Sequence, residues 1–391
     1  MTDQTRKIKI IEVFDKRFGA EPELWARAPG RVDLMGSHTD YNMGYVMTMS
    51  IDRDTWVAAR ARDDGKVVIY SMNAEGGGEF SLNAIDHDAG SPWTNYVRGV
   101  AWSLQQAGYP LRGFDGVIHS TVPFGSGLSS SAALEVATAV MFQLLGDFAI
   151  DPVEMALLAQ KAENDFVGVN CGILDQYSSV MGQEGCALQL DCRDLTSETL
   201  AFAPGLTVVI CDTHAQRNLA GSAYAERRAQ CEEGVSILQR FYPHIRALRD
   251  VSLPQLAAHE KDLPPVVAKR CRFVIEENQR VLDLAKALPR GDAAALSELC
   301  AASWAGARDL YEISAPAMES MMKAMLAAPG VIAARQAGAG FGGCMVALVA
   351  ADAVDVFRRS VEEDYRTETG IRPETYAVEA AAGAGVVEAD A

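Results

Sequence analysis

The chain has 391 residues, more than the roughly 250–300 at which a single hydrophobic core stops growing, so two intimately packed domains are expected. Hydrophobic residues make up 49% and charged residues 22%, the balance of an ordinary globular protein. The formal net charge of −17, from 35 basic and 52 acidic residues, argues against nucleic acid as a partner, which wants a concentrated basic surface. It leaves a nucleotide open, since a local nest of amides and a metal ion suffice for that.

The N-terminus, Met1 to Lys7, leads into mixed polar and apolar residues rather than an apolar signal core, and no run of eighteen apolar residues follows. No membrane partner and a cytoplasmic location are therefore expected. The eight cysteines lie scattered with no CxxC pair, which indicates neither a zinc site nor a disulfide framework but reduced thiols, many in apolar runs such as Val208-Val209-Ile210-Cys211.

Residues 6–19 alternate charge with Ile8, Ile10, Ile11, Val13 and Phe14, as an amphipathic helix would. Trp25 to Asn42 then packs Arg27, Arg31, Asp33, His38 and Asp40 around Gly30, Gly36 and Pro29. Polar residues this dense between strand-like runs suit a site loop, though a solvated loop has the same composition. Strand-like alternation covers 51–82, with turns at Asp63-Asp64-Gly65 and Glu75 to Gly78, and Trp93 to Gln106 reads as a helix.

The chain is organised around Pro123-Phe124-Gly125-Ser126-Gly127-Leu128-Ser129-Ser130-Ser131, set between a strand-like run (116–122) and a helical one (135–145). Glycines let a backbone approach a phosphate, and a helix N-terminus favours an anion. An ordinary Ser-capped helix after a glycine turn fits the same letters. Pro152 to Phe166 is a further helix. It ends near Glu163 and leads through a glycine-containing turn to Asp175, two acidic residues that could serve as metal ligand and base or merely cap and face water.

Strands are expected at 185–192 and 206–213, with the link 195–201 as the domain boundary. Helices are expected near 217–241, 266–288, 291–308 and 315–327. The strand-like runs 331–335 and 345–349 flank Gly338-Ala339-Gly340-Phe341-Gly342-Gly343-Cys344, either a plain hairpin or a second backbone surface for phosphates. The Ala/Gly-rich stretch 380–385 reads as a strand exit and loose tail.

Three of these motifs, in this order, resemble the GHMP kinase superfamily and its galactokinase branch. Arg31-Val32-Asp33-Leu34-Met35-Gly36-Ser37-His38-Thr39-Asp40-Tyr41 is similar to that branch's signature, G-R-V-N-L-I-G-E-H-T-D-Y. Pro123–Ala132 is similar to the superfamily's phosphate motif, and Gly338–Cys344 to its C-terminal glycine motif. Trp93-Thr94-Asn95-Tyr96-Val97, Cys171-Gly172-Ile173-Leu174-Asp175-Gln176, Asp191-Cys192-Arg193 and Arg308-Asp309 match as well.

The resemblance implies a two-lobed α+β fold, residues 1–200 and a helix-rich 201–391, each lobe a sheet with packed helices, with ATP and a sugar in the cleft between them. It implies a sugar 1-kinase acting on the anomeric hydroxyl of galactose or a related sugar, expected to work as a monomer. Asp175 would be the base and Arg31 its partner. Ser131 and Glu163 would bind Mg²⁺, a hard cation that takes few protein oxygens. Pro123, Gly125, Ser126, Gly127, Leu128, Ser129, Ser130 and Ser131 would wrap the phosphates. Ser37, His38, Asp40, Gly172 and Tyr224 match sugar-contacting positions.

The departures cluster in the sugar signature: Ser37 stands where Glu is usual, Asp33 where Asn is, Met43-Gly44 where two glycines are, and Trp304 where a His is common. A Glu at 37 is expected to meet the C6 hydroxyl and would repel a substrate carboxylate. Two unit charges at about 4 Å interact by roughly 4 kcal/mol at an intermediate dielectric, on the order of a thousandfold in affinity. Its loss raises a uronic-acid kinase (galacturonate or glucuronate) as the alternative to galactose. A non-catalytic sugar- and ATP-binding regulator is a third reading, opposed by the presence of Arg31, Ser131, Glu163 and Asp175. Mevalonate or homoserine kinases fit less well, because the 27–41 signature is that of the sugar kinases.

Overall fold

Apolar alternation from Leu24 to Arg62 builds two long antiparallel strands, β1 (Leu24–Met35) and β2 (Tyr45–Arg62), in the computed structural model, which describes residues 2–215 and 220–387. Strands β3 (Lys66–Ser71), β4 (Gly77–Ser81), β5 (Gly113–Ser120), β6 (Cys186–Asp191) and β7 (Thr196–Ala201) complete most of the first sheet. The 18 residues of β2 are enough to hold several partners: β5 pairs along Thr55–Arg62 and β6 along Tyr45–Thr48. Only the β3–β5 pair is parallel among the described strands.

The segment 195–201, expected to be a linker, is therefore largely a strand, β7, paired along the whole length of β6. The chain passes to a second sheet after it. The polar run expected as a site loop also begins as strand: Arg31 and Asp33 lie in β1, and only from Gly36 onward does the chain turn. Register shifts between Pro29 and Arg31 and between Asp33 and Met35 bulge β1 at both places. Bulges of this kind re-aim side chains without ending the strand, which reconciles polar residues with sheet pairing.

Helices Asp3–Phe18, Thr94–Gln106, Ser130–Gly146, Pro152–Lys161 and Leu174–Met181 belong to this half. The expected helix 152–166 finishes in a π-helical turn, Ala162–Val167, which carries Glu163. Val57, Ile69 and Phe114 of the sheet pack against Val100, Leu104, Val136 and Phe142 of the helices as the core of this lobe.

The second sheet contains β8 (Leu206–Asp212), β9 (Val331–Gln336), β10 (Cys344–Ala350) and β11 (Glu374–Val378) in the order β11-β8-β10-β9, all antiparallel. The four expected helices appear as Ala220–Leu238, Pro265–Ala287, Ala293–Asp309 and Pro316–Ala327; the expected start of the first, at 217, lies outside the described residues. Two further helices, Leu253–His259 and Val354–Thr369, were not expected, although Phe357, Val361 and Tyr365 bury one four-residue stripe of the latter. The tail then crosses back, and β12 (Gly385–Val386) pairs with β1 at Ala26 and Arg27.

The two sheets share a core. Val32, Leu34 and Met49 of the first half pack in one cluster with Val208, Ile210, Val281 and Val346 of the second. That burial locks the relative position of β1 and the second sheet, and the cleft lies where β1 emerges between them. All eight cysteines are free thiols, five of them buried. Among the described residues no helix is long and apolar enough to cross a membrane.

Candidate active site

The stretch 121–129 forms a loop between β5 and helix Ser130–Gly146. Gly125 (φ +69°), Gly127 (+91°) and Ser129 (+60°) take left-handed backbone angles at alternate positions. Such alternation turns successive amide N–H groups toward one concave side. The serine cap is not made. Ser129 occupies the N-cap position with no capping hydrogen bond from its side chain, and its buried Oγ has no partner. The positive end of the helix therefore meets the loop without a side-chain plug, as an anion site requires.

Tertiary contacts hold the loop in place. The Arg31 amide donates to the Leu128 carbonyl at 3.2 Å and the Cys344 amide to the Ser126 carbonyl at 3.1 Å. The glycine-rich turn between β9 and β10 is thus not a free hairpin, since it abuts the loop. A Cβ added at Gly338 would be in ordinary van der Waals contact, 3.5 Å, with the Gly127 carbonyl.

Beside the loop opens an apolar cavity of about 230 Å³. Trp93, Tyr96, Ile118, Phe124 and Leu134 line it, with Asn73 on one wall and Ser130 and Ser131 at the loop edge. The Trp93 Nε1–H is buried without a partner. Residue-level reading of the sequence missed this cavity, because its walls come from β2, β3, β5 and two helices.

A second cavity, about 560 Å³ and open to solvent, gathers Arg31, Asp33, Ser37, His38, Asp40, Glu163, Cys171, Gly172, Asp175 and Tyr224, together with Gly338 and Ala339. The expected acceptor-side residues thus converge from segments up to 193 residues apart, from Arg31 to Tyr224. Asp175 sits in the first turn of helix Leu174–Met181, where the helix dipole favours its negative charge. Arg31 pairs with it through Nη2 and donates from Nε to Asp175 Oδ1 at 2.8 Å, while its Nη1 donates to the Gly127 carbonyl at 2.8 Å.

Asp40 leans on Gly172 so closely that a Cβ there would fall 1.7 Å from Asp40 Oδ2, so any side chain at 172 would displace the carboxylate. Burial, with Asp175 and Asp33 nearby, raises the Asp40 pKa to about 6. His38 is buried and its pKa falls to about 4, which leaves the ring neutral. Its Nε2 faces the Ala339 carbonyl at 3.0 Å and must donate, so Nδ1 accepts from the Tyr41 hydroxyl at 2.8 Å. Both ring nitrogens are consumed by protein. His38, expected to hydrogen-bond a ligand, lines the cavity with ring surface instead and packs on Tyr224 with centroids 5.2 Å apart.

Glu163 connects the two cavities. Its Oε2 accepts from Gln176 Nε2 at 2.6 Å and from Cys171 Sγ at 3.2 Å, and the carboxylate also receives the Ser131 hydroxyl. Gln176 Nε2 donates as well to buried Glu135, at 2.9 Å. Burial raises the pKa of both glutamates, and each is raised further by a neighbouring carboxylate, Asp175 for Glu163 and Glu163 for Glu135. Cys171 and Gln176 stand in the matching stretch 171–176 without a role read for them, and Glu135 was not singled out from the sequence; these contacts are ones that spacing does not reveal.

Ser37 is not an open vacancy. Its Oγ is bonded to Asp33 Oδ2 at 2.6 Å and receives Arg335 Nη2 at 2.9 Å. Burial pushes Asp33 up, with Arg335 opposing. Arg335 also contacts Glu277 at 3.2 Å, and Arg280 and Arg335 together hold that glutamate below its ordinary value despite burial. Trp304 lies in an apolar cluster with Met318, Met322 and Met345, outside both cavities.

Comparison with known proteins agrees with this geometry. Three family profiles match: the galactokinase galactose-binding signature at residues 12–61, the GHMP kinases N terminal domain at 95–183 and the GHMP kinases C terminal at 284–367. The chain is 46% identical over 379 residues to a galactokinase of Roseiflexus sp. (strain RS-1), covering 97% of each. It is 45% identical over 380 residues to one of Chloroflexus aurantiacus, again covering 97% of each. A crystal structure of Lactococcus lactis galactokinase complexed with galactose superposes with a TM-score of 0.92 at 35% identity, covering 96% of this chain and 98% of that one. Methanococcus jannaschii mevalonate kinase shares the fold, with a TM-score of 0.63 at 14% identity over 92% of this chain and 98% of its own.

Proposed function

We propose a catalytic assignment for a chain that belongs to the galactokinase family of the GHMP kinases: it is a sugar kinase that moves the γ-phosphoryl group of ATP to the anomeric hydroxyl of a neutral hexose, galactose above all. The observation that carries this reading is Arg31, which grips Asp175 with one side of its guanidinium and the Gly127 carbonyl with the other. The acceptor-side base and the phosphate loop are thereby held in one frame, as in-line transfer requires.

In this assignment the loop 123–131 cradles the phosphates, and the apolar cavity takes the adenine against Trp93 and Phe124. Asp175 takes the proton from the sugar's C1 hydroxyl. Arg31 pairs with that carboxylate and offsets charge on the reacting oxygens. Asp40 and Tyr224 hold sugar hydroxyls, and Gly172 makes room for Asp40.

Ser131 and Glu163 supply oxygen donors where the two cavities meet, a set that fits Mg²⁺. A cation there would also relieve the crowding of Glu163 by Asp175. Bound Mg²⁺ would neutralise charge on the transferring phosphate.

The acidic cavity favours a neutral sugar over a uronic acid. Among the described residues Asp33, Asp40, Glu163 and Asp175 line it, and the one lining arginine, Arg31, already pairs with Asp175. Burial already holds Asp33, Asp40 and Glu163 above the ordinary carboxylate range, so a further negative charge from the substrate would be costly there. ADP release measured with galactose, galacturonate, glucuronate, arabinose and N-acetylgalactosamine tests the assignment. Highest kcat/KM for galactose is expected, and preference for a uronate would overturn it.

A further inference from the structure

One amide side chain ties the acidic residue at the loop edge to the helix that carries Asp175. Gln176 follows Asp175 in the first turn of helix Leu174–Met181, where neighbours in sequence point about 100° apart. Asp175 lines the acidic cavity, while Gln176 is fully buried. Its Nε2 carries two N–H groups and meets two carboxylates, Glu135 Oε2 at 2.9 Å and Glu163 Oε2 at 2.6 Å, one donor for each. Glu135 belongs to the helix Ser130–Gly146 that leaves the glycine–serine loop, and Glu163 to the π-helical turn Ala162–Val167. Three elements of the site are thus joined through a single nitrogen.

The Cys171 thiol is a weaker second tie. It lies 3.2 Å from Glu163 Oε2 and equally 3.2 Å from Asn164 Oδ1, with one proton to divide between them. The Ser131 hydroxyl, which also reaches the carboxylate, is itself assigned to the cation. The cluster is costly to bury. Glu135, Glu163 and Gln176 are exposed by only 0%, 4% and 0%, and Glu135 Oε1 and Gln176 Oε1 have no hydrogen-bond partner. An apolar trio of the same volume would avoid that cost, so stability does not account for the arrangement.

We propose that Gln176, braced on Glu135, is a positioning residue that holds Glu163 for Mg²⁺ at a fixed separation from Asp175, its neighbour on the same helix. The inference rests on the sugar-kinase assignment above and concerns the support of the cation site rather than its ligands. Loss of such an outer partner typically lowers metal affinity or activity by about 10- to 100-fold.

The test measures binding of a non-hydrolysable ATP analogue by calorimetry, with Mg²⁺ and with EDTA, in the wild type, Gln176→Met and Glu163→Gln. The ratio of the two dissociation constants is the gain due to Mg²⁺. Gln176→Met is expected to lower that gain by about tenfold, while the dissociation constant in EDTA stays within a few-fold of wild type. A role in packing alone would weaken binding equally in both conditions. An unchanged gain in Gln176→Met, or an equal loss with and without Mg²⁺, would overturn the inference. Should Gln176→Met fail to fold, Glu135→Met/Gln176→Met carries the test, because it leaves no second buried carboxylate without a donor. Its gain should fall in the same way, and an unchanged gain overturns the inference. An unchanged gain in Glu163→Gln would remove the cation site and the inference with it. Turnover absent with every sugar, beside a gain that Gln176→Met lowers, would instead remove the sugar-kinase assignment and keep the inference.

Discussion

Arg31 and Asp175, 144 residues apart in the chain, form an ion pair at the boundary between the acidic cavity and the phosphate loop. One partner comes from a bulged strand and the other from the first turn of a short helix. The pair therefore reports on the relative placement of the sheet, the helix and the loop together. A shift in any one would separate Asp175 from the glycine–serine loop.

Replacing Asp175 with Asn removes the proposed base and keeps the shape. Turnover is expected to fall by about 10²- to 10⁴-fold, the usual worth of general-base help. ATP affinity, measured by calorimetry, should stay within a few-fold of wild type. Retained turnover would take Asp175 out of the role.

Asp40 makes the pH dependence predictable. Its folded pKa is raised to about 6 from the ordinary 3.8, so the folded state favours its protonated form. Its contribution to stability is present in full below about pH 4, is lost as pH rises toward 6, and stays lost above that. Asp40→Asn should stabilise the unliganded protein at pH 7.5, on the order of 1–3 kcal/mol. The gain should vanish in thermal melts near pH 4. Because ionised Asp40 is the better acceptor, KM for the sugar should fall as pH rises through about 6 in the wild type and lose that dependence in the variant.

Gly172 is required by close approach. Its φ is not left-handed, but a methyl group would stand 1.7 Å from Asp40 Oδ2. Gly172→Ala should raise KM for the sugar at least tenfold while KM for ATP changes little, because displacement by about 1 Å at a positioning group is expensive. Equal effects on both substrates in steady-state kinetics would point to general misfolding instead.

Trp93 reports on the apolar cavity. Trp93→Ala should raise KM for ATP about tenfold or more, in line with roughly 1–3 kcal/mol for a base stacked on an aromatic ring. ATP should change the protein's tryptophan fluorescence, and Trp93→Phe should remove most of that change. An undiminished signal in Trp93→Phe would place the base elsewhere.

Glu163→Gln weakens the proposed cation site. The Mg²⁺ concentration for half-maximal activity at fixed sugar should rise several-fold, and high Mg²⁺ should recover part of the lost rate. An unchanged Mg²⁺ titration would remove Glu163 from that site.

Much of this was legible in the sequence for local reasons. The left-handed positions at Gly125 and Gly127 are written in the residues themselves, and so are the helical stripes and the strand alternation on either side. The order of the motifs implied a kinase before any contact was seen. Where the reading failed, the cause was pairing at a distance. The stretch 195–201 looks like a linker until β6 lies beside it, and Arg31 and Asp33 look like loop residues until two bulges are set against β2.

The sequence alone determined that this chain transfers phosphate: a glycine–serine loop before a helix, with an arginine and an aspartate in their matching motifs, is a local and ordered signal. What meets the substrate was decided only by the tertiary structure. The hydrogen-bond partners of Ser37 and His38 come from positions 33, 335, 339 and 41, so the serine hydroxyl is bonded to a carboxylate and both ring nitrogens of the histidine are engaged by protein. Backbone propensity is a property of neighbours in sequence. Acceptor capacity is what remains after the folded chain has used its own donors, and that remainder exists only once the fold is closed.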